Sequence, residues 1–225
     1  MNAILQKSAG RPCLLEPDAM ALFSDYGIPV PFCKLTKNAE EAVAFASEIG
    51  YPVVIKITSY DIVHKSDVGG VITGIKDEEM LRSCYEQMMN SVSEKCPDAV
   101  IEGINVMENL DPGQECIVGM TKDPQLGNAV MFGLGGVFVE VLKDVSLQLT
   151  PVSREEAGAM IKDIKGSELL TGYRGNDPCD VDAVADLIMK VSKLADANPE
   201  IRELDINPVF VYKDGVKIAD ARVIL

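Results

Sequence analysis

Glu203-Leu204-Asp205-Ile206-Asn207-Pro208-Val209-Phe210-Val211-Tyr212-Lys213-Asp214-Gly215-Val216-Lys217-Ile218-Ala219-Asp220-Ala221-Arg222 is the stretch that decides how this chain is read. Alternating apolar residues flank an Asp-Gly pair, which accepts the positive φ of a tight turn, so the stretch reads as a β-hairpin. With Asp214 and Gly215 as the two central residues, Asp205, Asn207, Asp220 and Arg222 share one face. Asp220 then lies diagonally across from Asn207, and side chains at such a diagonal can meet through a bound ion. Asn207 and Asp220 offer two hard oxygen ligands, with Asp205 as a third carboxylate and positions left open for phosphate oxygens. That set suits Mg²⁺ better than zinc or a redox metal. The competing reading is an edge hairpin with solvated charges.

Composition bounds what surrounds the hairpin. A chain of 225 residues buries a full core as one large domain or two small lobes. The balance of 35 acidic against 21 basic residues, a net charge of −14, argues against nucleic acid and anionic membrane as partners. A nucleotide site must hold its cations locally against that field. No apolar run approaches membrane-spanning length, and the N-terminus shows no signal-peptide pattern. The six cysteines occur without a CxxC pair, so they read as small core hydrophobes in a reducing compartment, and the expected location is cytoplasmic.

Upstream, helices and short strands alternate irregularly. Glu16-Pro17 opens a helix that stops at Gly27, and Asn38 with Glu41 caps another that stops at Gly50. Tyr51 to Ile57 is a β-branched strand, a polar loop runs from Ser59 to Gly70, and a second strand follows to Ile75. Asp77 starts a long helix that ends before Pro97. Strands are expected at about 100–108, 115–120 and 128–132, and Ser153 with Glu156 makes a capping box for a helix reaching Leu170. A last helix over about 181–196 precedes the hairpin. The pattern is α+β with mainly antiparallel sheets, not a doubly wound parallel sheet. A boundary between lobes is expected where Asn109-Leu110-Asp111-Pro112-Gly113 interrupts the strands.

Four groups carry candidate chemistry. Lys56 sits in an apolar strand on the face of Val54, where an inward lysine needs an anion to offset desolvation; a lysine snorkelling from a sheet edge is the alternative. His64, the sole histidine, lies in a Lys/Ser/Gly-rich loop whose backbone N–H groups suit phosphate, and a neutral imidazole is a competent nucleophile. The bland alternative is a loop histidine that only hydrogen-bonds. Gly133-Leu134-Gly135-Gly136 is neither a Walker A loop nor a G-x-G-x-x-G fingerprint. Glu140, Lys143 and Asp144 follow it, either facing the same site or lying on a solvated strand. Glu108-Asn109-Leu110, at the expected junction, can offer backbone groups to a purine edge.

The runs EIGYPVVIKI (48–57), HKSDVGGV (64–71), PGQECIVGMTKDPQLGNAVMFGLGGVFVEVLKDV (112–145) and ELDINPVFVYKDGVKIADAR (203–222) resemble the ATP-grasp β-subunit of the ADP-forming acetate–CoA ligases, the NDP-forming acyl-CoA synthetases. The likeness covers nearly the whole chain in order, with a more distant likeness to the succinyl-CoA synthetase β-subunit. It implies an ATP-grasp fold over residues 1–225, with lobe A about 1–109 and lobe B about 110–225 enclosing a nucleotide site. By position, Lys56 resembles the phosphate-contacting lysine. Glu108, Asn109 and Leu110 resemble the hinge that recognises adenine, and Glu115 is placed for the ribose. Asn207 and Asp220 resemble the Mg²⁺ ligands.

The implied activity is Mg²⁺-dependent phosphoryl transfer between phosphohistidine and ADP/ATP, within acetyl-CoA (or acyl-CoA) + ADP + Pi = acid + ATP + CoA. His64 is the candidate relay, with Asp205 to orient it. No CoA-binding or phosphohistidine domain is recognisable here, so the expected partner is an α-subunit carrying both, in a hetero-oligomer. Alternatives are a succinyl-CoA ligase-like or free-standing ATP-grasp carboxylate ligase, and a non-catalytic nucleotide-binding regulatory subunit.

Overall fold

The computed structural model describes residues 2–62, 64–136, 143–173 and 177–225. The chain divides into two compact units, Pro31–Asp111 and Met1–Val30 with Pro112–Leu225. The break after Asp111 falls within the Asn-Leu-Asp-Pro-Gly stretch. The first 30 residues, however, group with the C-terminal half, not with the lobe that follows them. In that segment helix α1 spans Ala3–Lys7 and α2 spans Glu16–Asp25. The cause is pairing that sequence does not announce: Leu14 N–H donates to Val223 O at 2.9 Å and Leu225 N–H to Pro12 O at 3.0 Å.

The smaller unit contains β1 (Cys33–Thr36), α3 (Ala39–Ile49), β2 (Val53–Thr58), β3 (Val71–Ile75), α4 (Glu78–Lys95) and β4 (Gly103–Glu108). Its four strands form an antiparallel sheet in the order β1-β4-β2-β3. Local chemistry starts both helices: Asn38 and Asp77 each accept the backbone N–H three residues on, satisfying a donor with no partner inside the helix. One sheet face (Val53, Ile55, Ile57, Ile104 and Val106) is buried with Ala42, Val43, Ala46, Leu81, Met88 and Val92 of the helices. Each such aliphatic side chain contributes about 1.5–3 kcal/mol when fully buried. That leaves the other face of β2 and β4 for whatever Lys56 does.

The larger unit adds β5 (Gln114–Asp123), β6 (Gly127–Leu134), β7 (Val145–Leu149), α5 (Arg154–Asp163), α6 (Val181–Ala197), β8 (Glu203–Val211), β9 (Val216–Ile218) and β10 (Ala221–Ile224). Its antiparallel sheet runs β10-β8-β5-β6-β7, with β9 also paired to β8. Helix α6 buries Val184, Leu187, Ile188, Val191 and Leu194, the three-to-four spacing of one helical stripe, and lies against β5 and β6. The Ser153–Glu156 capping box forms, but α5 ends at Asp163 instead of reaching Leu170. Ile164 turns extended, and a 3₁₀ segment covers Lys165–Leu169. The buried Asp144 carboxylate explains the break, because it accepts the N–H groups of Lys165 and Gly166, each at 2.8 Å.

Candidate functional site

The C-terminal hairpin forms in a different register from the expected one. Val211 pairs Val216, and Tyr212 N–H donates to Gly215 O at 3.0 Å, so Lys213 and Asp214 are the central residues. Gly215 has φ +103° and Asp214 keeps a negative φ, so the positive φ falls after the turn instead of inside it. The return strand is thereby displaced by two residues, which preserves the faces. Asn207 now lies directly opposite Asp220, with Asn207 N–H donating to Asp220 O at 3.3 Å, and Asp205 lies opposite Arg222.

A bulge refines this arrangement. Cys116 pairs Val209 while Val118 pairs Ile206, so Ile117 faces both Asn207 and Pro208. Alternation along β8 changes phase there: Leu204 and Ile206 are buried before it, Val209 and Val211 after it. Asn207 thus sits where the strand bends, a position bulges often occupy beside functional groups.

Burial pushes the half-buried Asp205 carboxyl above the usual carboxylate range, and Glu203 and Asp220 push it further, against the pull of Arg222. Asp220 Oδ1 accepts the Ala221 N–H at 2.7 Å. No group of three or more His, Cys, Asp or Glu among the described residues is placed to hold a metal. Asn207 and Asp220 would contribute hard oxygen donors to a cation, and that donor chemistry fits Mg²⁺.

The raised Asp205 has a stability consequence. Between its unfolded and folded pKa values the folded chain holds more protons, so stability falls as pH rises through that window and stays reduced above it. Asp205→Asn is expected to melt above the unsubstituted chain at pH 7.5, with the gap closing as pH drops toward the ordinary Asp range of about 4. A gap that does not change with pH removes the carboxylate explanation.

In the smaller unit Lys56 is 6 % exposed on β2, between β3 and β4, and shares a face with Val54 and Thr58. It is an interior lysine, not one at a sheet edge. Asn105 of β4 stands directly opposite it. Glu108 closes β4: its N–H donates to Phe32 O at 2.9 Å and its Oε2 accepts the Phe32 N–H at 3.4 Å. Asn109 Oδ1 accepts the Gly74 N–H at 3.0 Å, tying the strand end to β3. Asn109 N–H donates to Pro52 O at 3.3 Å, and its Nδ2 donates to Leu110 O at 3.4 Å. Glu115 lies on β5 of the larger unit, where its carbonyl accepts the Gly135 N–H at 2.8 Å.

Gly70, Gly133 and Gly135 are positions of close backbone packing. A Cβ on Gly135 would lie 3.0 Å from Glu115 Cβ, and one on Gly133 would lie 2.8 Å from Asp144 O. Gly69 and Gly70 do not offer free N–H groups to an anion. They donate to Ser66 O at 3.1 Å and Lys65 O at 2.7 Å, and a Cβ on Gly70 would collide with Ile57. His64 is exposed at the start of the 3₁₀ turn Lys65–Val68. The loop is pinned on both sides of it: Asp61 Oδ2 accepts the Val100 N–H at 2.8 Å, and Ser91 Oγ donates to Val68 O at 2.9 Å. Asp144 is the cap described above, Lys143 takes a positive φ of 48°, and Glu140 lies outside the described residues. His64, Lys56 and Glu108 to Leu110 belong to the smaller unit; Asp205, Asn207, Asp220 and Glu115 belong to the larger.

Comparison with known proteins extends these placements. A family model described as an ATP-grasp domain matches residues 6–225. The acetate–CoA ligase [ADP-forming] I subunit beta of Pyrococcus furiosus is 50% identical over 219 residues, 97% of this chain and 94% of that protein. Acetate–CoA ligase [ADP-forming] I of Archaeoglobus fulgidus is 43% identical over 221 residues, 98% of this chain but 32% of that one. Among solved structures, the dinucleotide forming acetyl-coenzyme A synthetase 1 of Ca. Korarchaeum cryptofilum, in complex with coenzyme A and Ca-AMPCP, superposes with a TM-score of 0.96 at 48% identity, covering 99% of this chain and 98% of that one. The same synthetase with coenzyme A and Mg-AMPPCP, its phosphohistidine segment pointing towards the nucleotide binding site, gives a TM-score of 0.88 at 45% identity, covering 99% and 98%.

Proposed function

The chain belongs to the ATP-grasp family and groups there with the β-subunits of ADP-forming acetate–CoA ligases, and on that premise we propose that it is the nucleotide-handling subunit of such a ligase. It binds ADP or ATP with Mg²⁺ and passes a phosphoryl group between phosphohistidine and the nucleotide, while acyl-CoA and phosphate are exchanged for acid and CoA. The observation that carries this reading is Asn207 placed directly opposite Asp220 at a bulge, in a chain that superposes almost entirely on a synthetase holding Mg-AMPPCP.

Phosphoryl transfer is mainly positioning and charge stabilisation. Bound Mg²⁺ supplies Lewis-acid neutralisation of phosphate charge, and Asn207 and Asp220 are the residues that hold it, with Asp205 adding negative charge beside them. Lys56 neutralises phosphate from its buried position on β2. The β4 end at Glu108 to Leu110 presents its backbone to adenine, Glu115 serves the ribose, and His64 receives and returns the phosphoryl group.

The acyl and CoA chemistry belongs to an α-subunit with CoA-binding and phosphohistidine domains. A subunit relative of nearly equal length and a fused relative three times longer both support that division. No helix among the described residues is long and apolar enough to cross a membrane, and we place the complex in the cytoplasm. The test is reconstitution. The purified chain is expected to make no acyl-CoA from acid, ATP and CoA, and to make it on mixing with the α-subunit. Acyl-CoA formation by the chain alone refutes the division and favours a free-standing ligase.

A further inference from the structure

Asn105 is fully buried, yet neither Nδ2 nor Oδ1 has a hydrogen-bond partner. Buried amides are almost always satisfied, and an orphan of this kind costs stability unless something fills it. Its neighbours Ile104 and Val106 face the helix-packed core, so Asn105 stands on the opposite face of β4. There it is the direct cross-strand partner of Lys56, a separation of about 5 Å between Cβ atoms. Thr58, two residues from Lys56 on the same face and 2 % exposed, also has a buried hydroxyl without a partner. Val54 and Met107 flank the group on that face. An apolar residue at 105 would suit the strand better on every local criterion.

We propose that Asn105 is a nucleotide contact: on the face it shares with Lys56, its side-chain amide hydrogen-bonds the bound nucleotide, Nδ2–H donating to a phosphate oxygen. The inference rests on the nucleotide-binding reading above and adds a residue to it. The amide is kept at a stability cost because the ligand supplies the partners that the fold does not. A purely structural amide predicts the reverse, since its removal would weaken the empty chain and leave ligand affinity alone.

The test uses the whole chain, melted with and without Mg-ATP and titrated by calorimetry, as unsubstituted protein and as Asn105→Leu, which has the same branching but is apolar and larger. The nucleotide-free Leu variant is expected to melt at the same temperature or higher, while its ATP affinity falls roughly ten- to a hundredfold, the range for a hydrogen bond to a charged group. If Leu overfills the site and the variant does not fold, the smaller, strand-favouring Asn105→Val makes the same comparison. Affinity within about threefold of the unsubstituted chain in the folded variant overturns the proposal while leaving nucleotide binding intact. Failure of the unsubstituted chain to bind Mg-ATP overturns both.

Discussion

His64→Ala is expected to cut overall acyl-CoA synthesis in the reconstituted complex by roughly three orders of magnitude or more, while Mg-ATP binding to the chain survives. A relay transfers the group in two displacements. The His64 imidazole attacks phosphorus as the bond to the partner's histidine breaks, and the terminal phosphate oxygen of ADP then attacks as the bond to His64 breaks. His64 is exposed, with Asp61 bonded to Val100 N–H before it and Val68 O bonded to Ser91 Oγ after it. An acid-labile, base-stable phosphate should appear on this chain during turnover and vanish in the Ala variant. The contrary outcome is equally sharp. If His64→Asn keeps near-full activity, the phosphoryl group passes straight from the partner's histidine to ADP, and His64 only hydrogen-bonds.

What sequence makes legible is what is encoded within three or four residues. Asn38, Asp77 and Ser153 each accept an N–H three positions along, so the starts of α3, α4 and α5 are readable from the side chains alone. The end of α5 is not, because Asp144, twenty-one residues upstream of Lys165, takes the N–H groups that would have continued the helix. The N-terminal segment was unreadable for the same reason: its partner strand is the last in the chain. In the hairpin, face survived because alternation has period two, but register did not, since Asp-Gly identifies a turn without saying which residue takes the positive φ. The bulge at Asn207–Pro208 exists only relative to β5. The glycine pairs mislead in an instructive way, because an anion cradle and a close packing contact demand the same residue. Asn105 stood in plain view between Ile104 and Val106, yet only burial without a partner gives it meaning.

Asn207→Ala and Asp220→Ala are each expected to abolish the Mg²⁺-dependent part of nucleotide binding, a loss of about a hundredfold or more. A metal bridge to phosphate is worth several kcal/mol, and about 1.4 kcal/mol corresponds to tenfold. Asn207 of the bulged strand lies opposite Asp220 of the return segment, so either truncation leaves a single hard ligand on that side. Calorimetry with ATP in the presence and absence of Mg²⁺ separates this from a general loss of affinity, and Lys213→Ala at the exposed turn should change neither titration. Melting without nucleotide gives the second half of the argument. Asp220 is one of two carboxylates that drive Asp205 upward, so its removal relieves repulsion in the empty chain. Asp220→Ala loses the bond from Ala221 N–H as well as that repulsion, so the nucleotide-free chain is expected to stay folded at pH 7.5 while losing the stabilisation by Mg-ATP. Binding lost together with a melting temperature that collapses would mean that Asp220 serves the hairpin and not the ion. Unchanged affinity with unchanged Mg²⁺ dependence in both variants would remove the metal from this hairpin altogether.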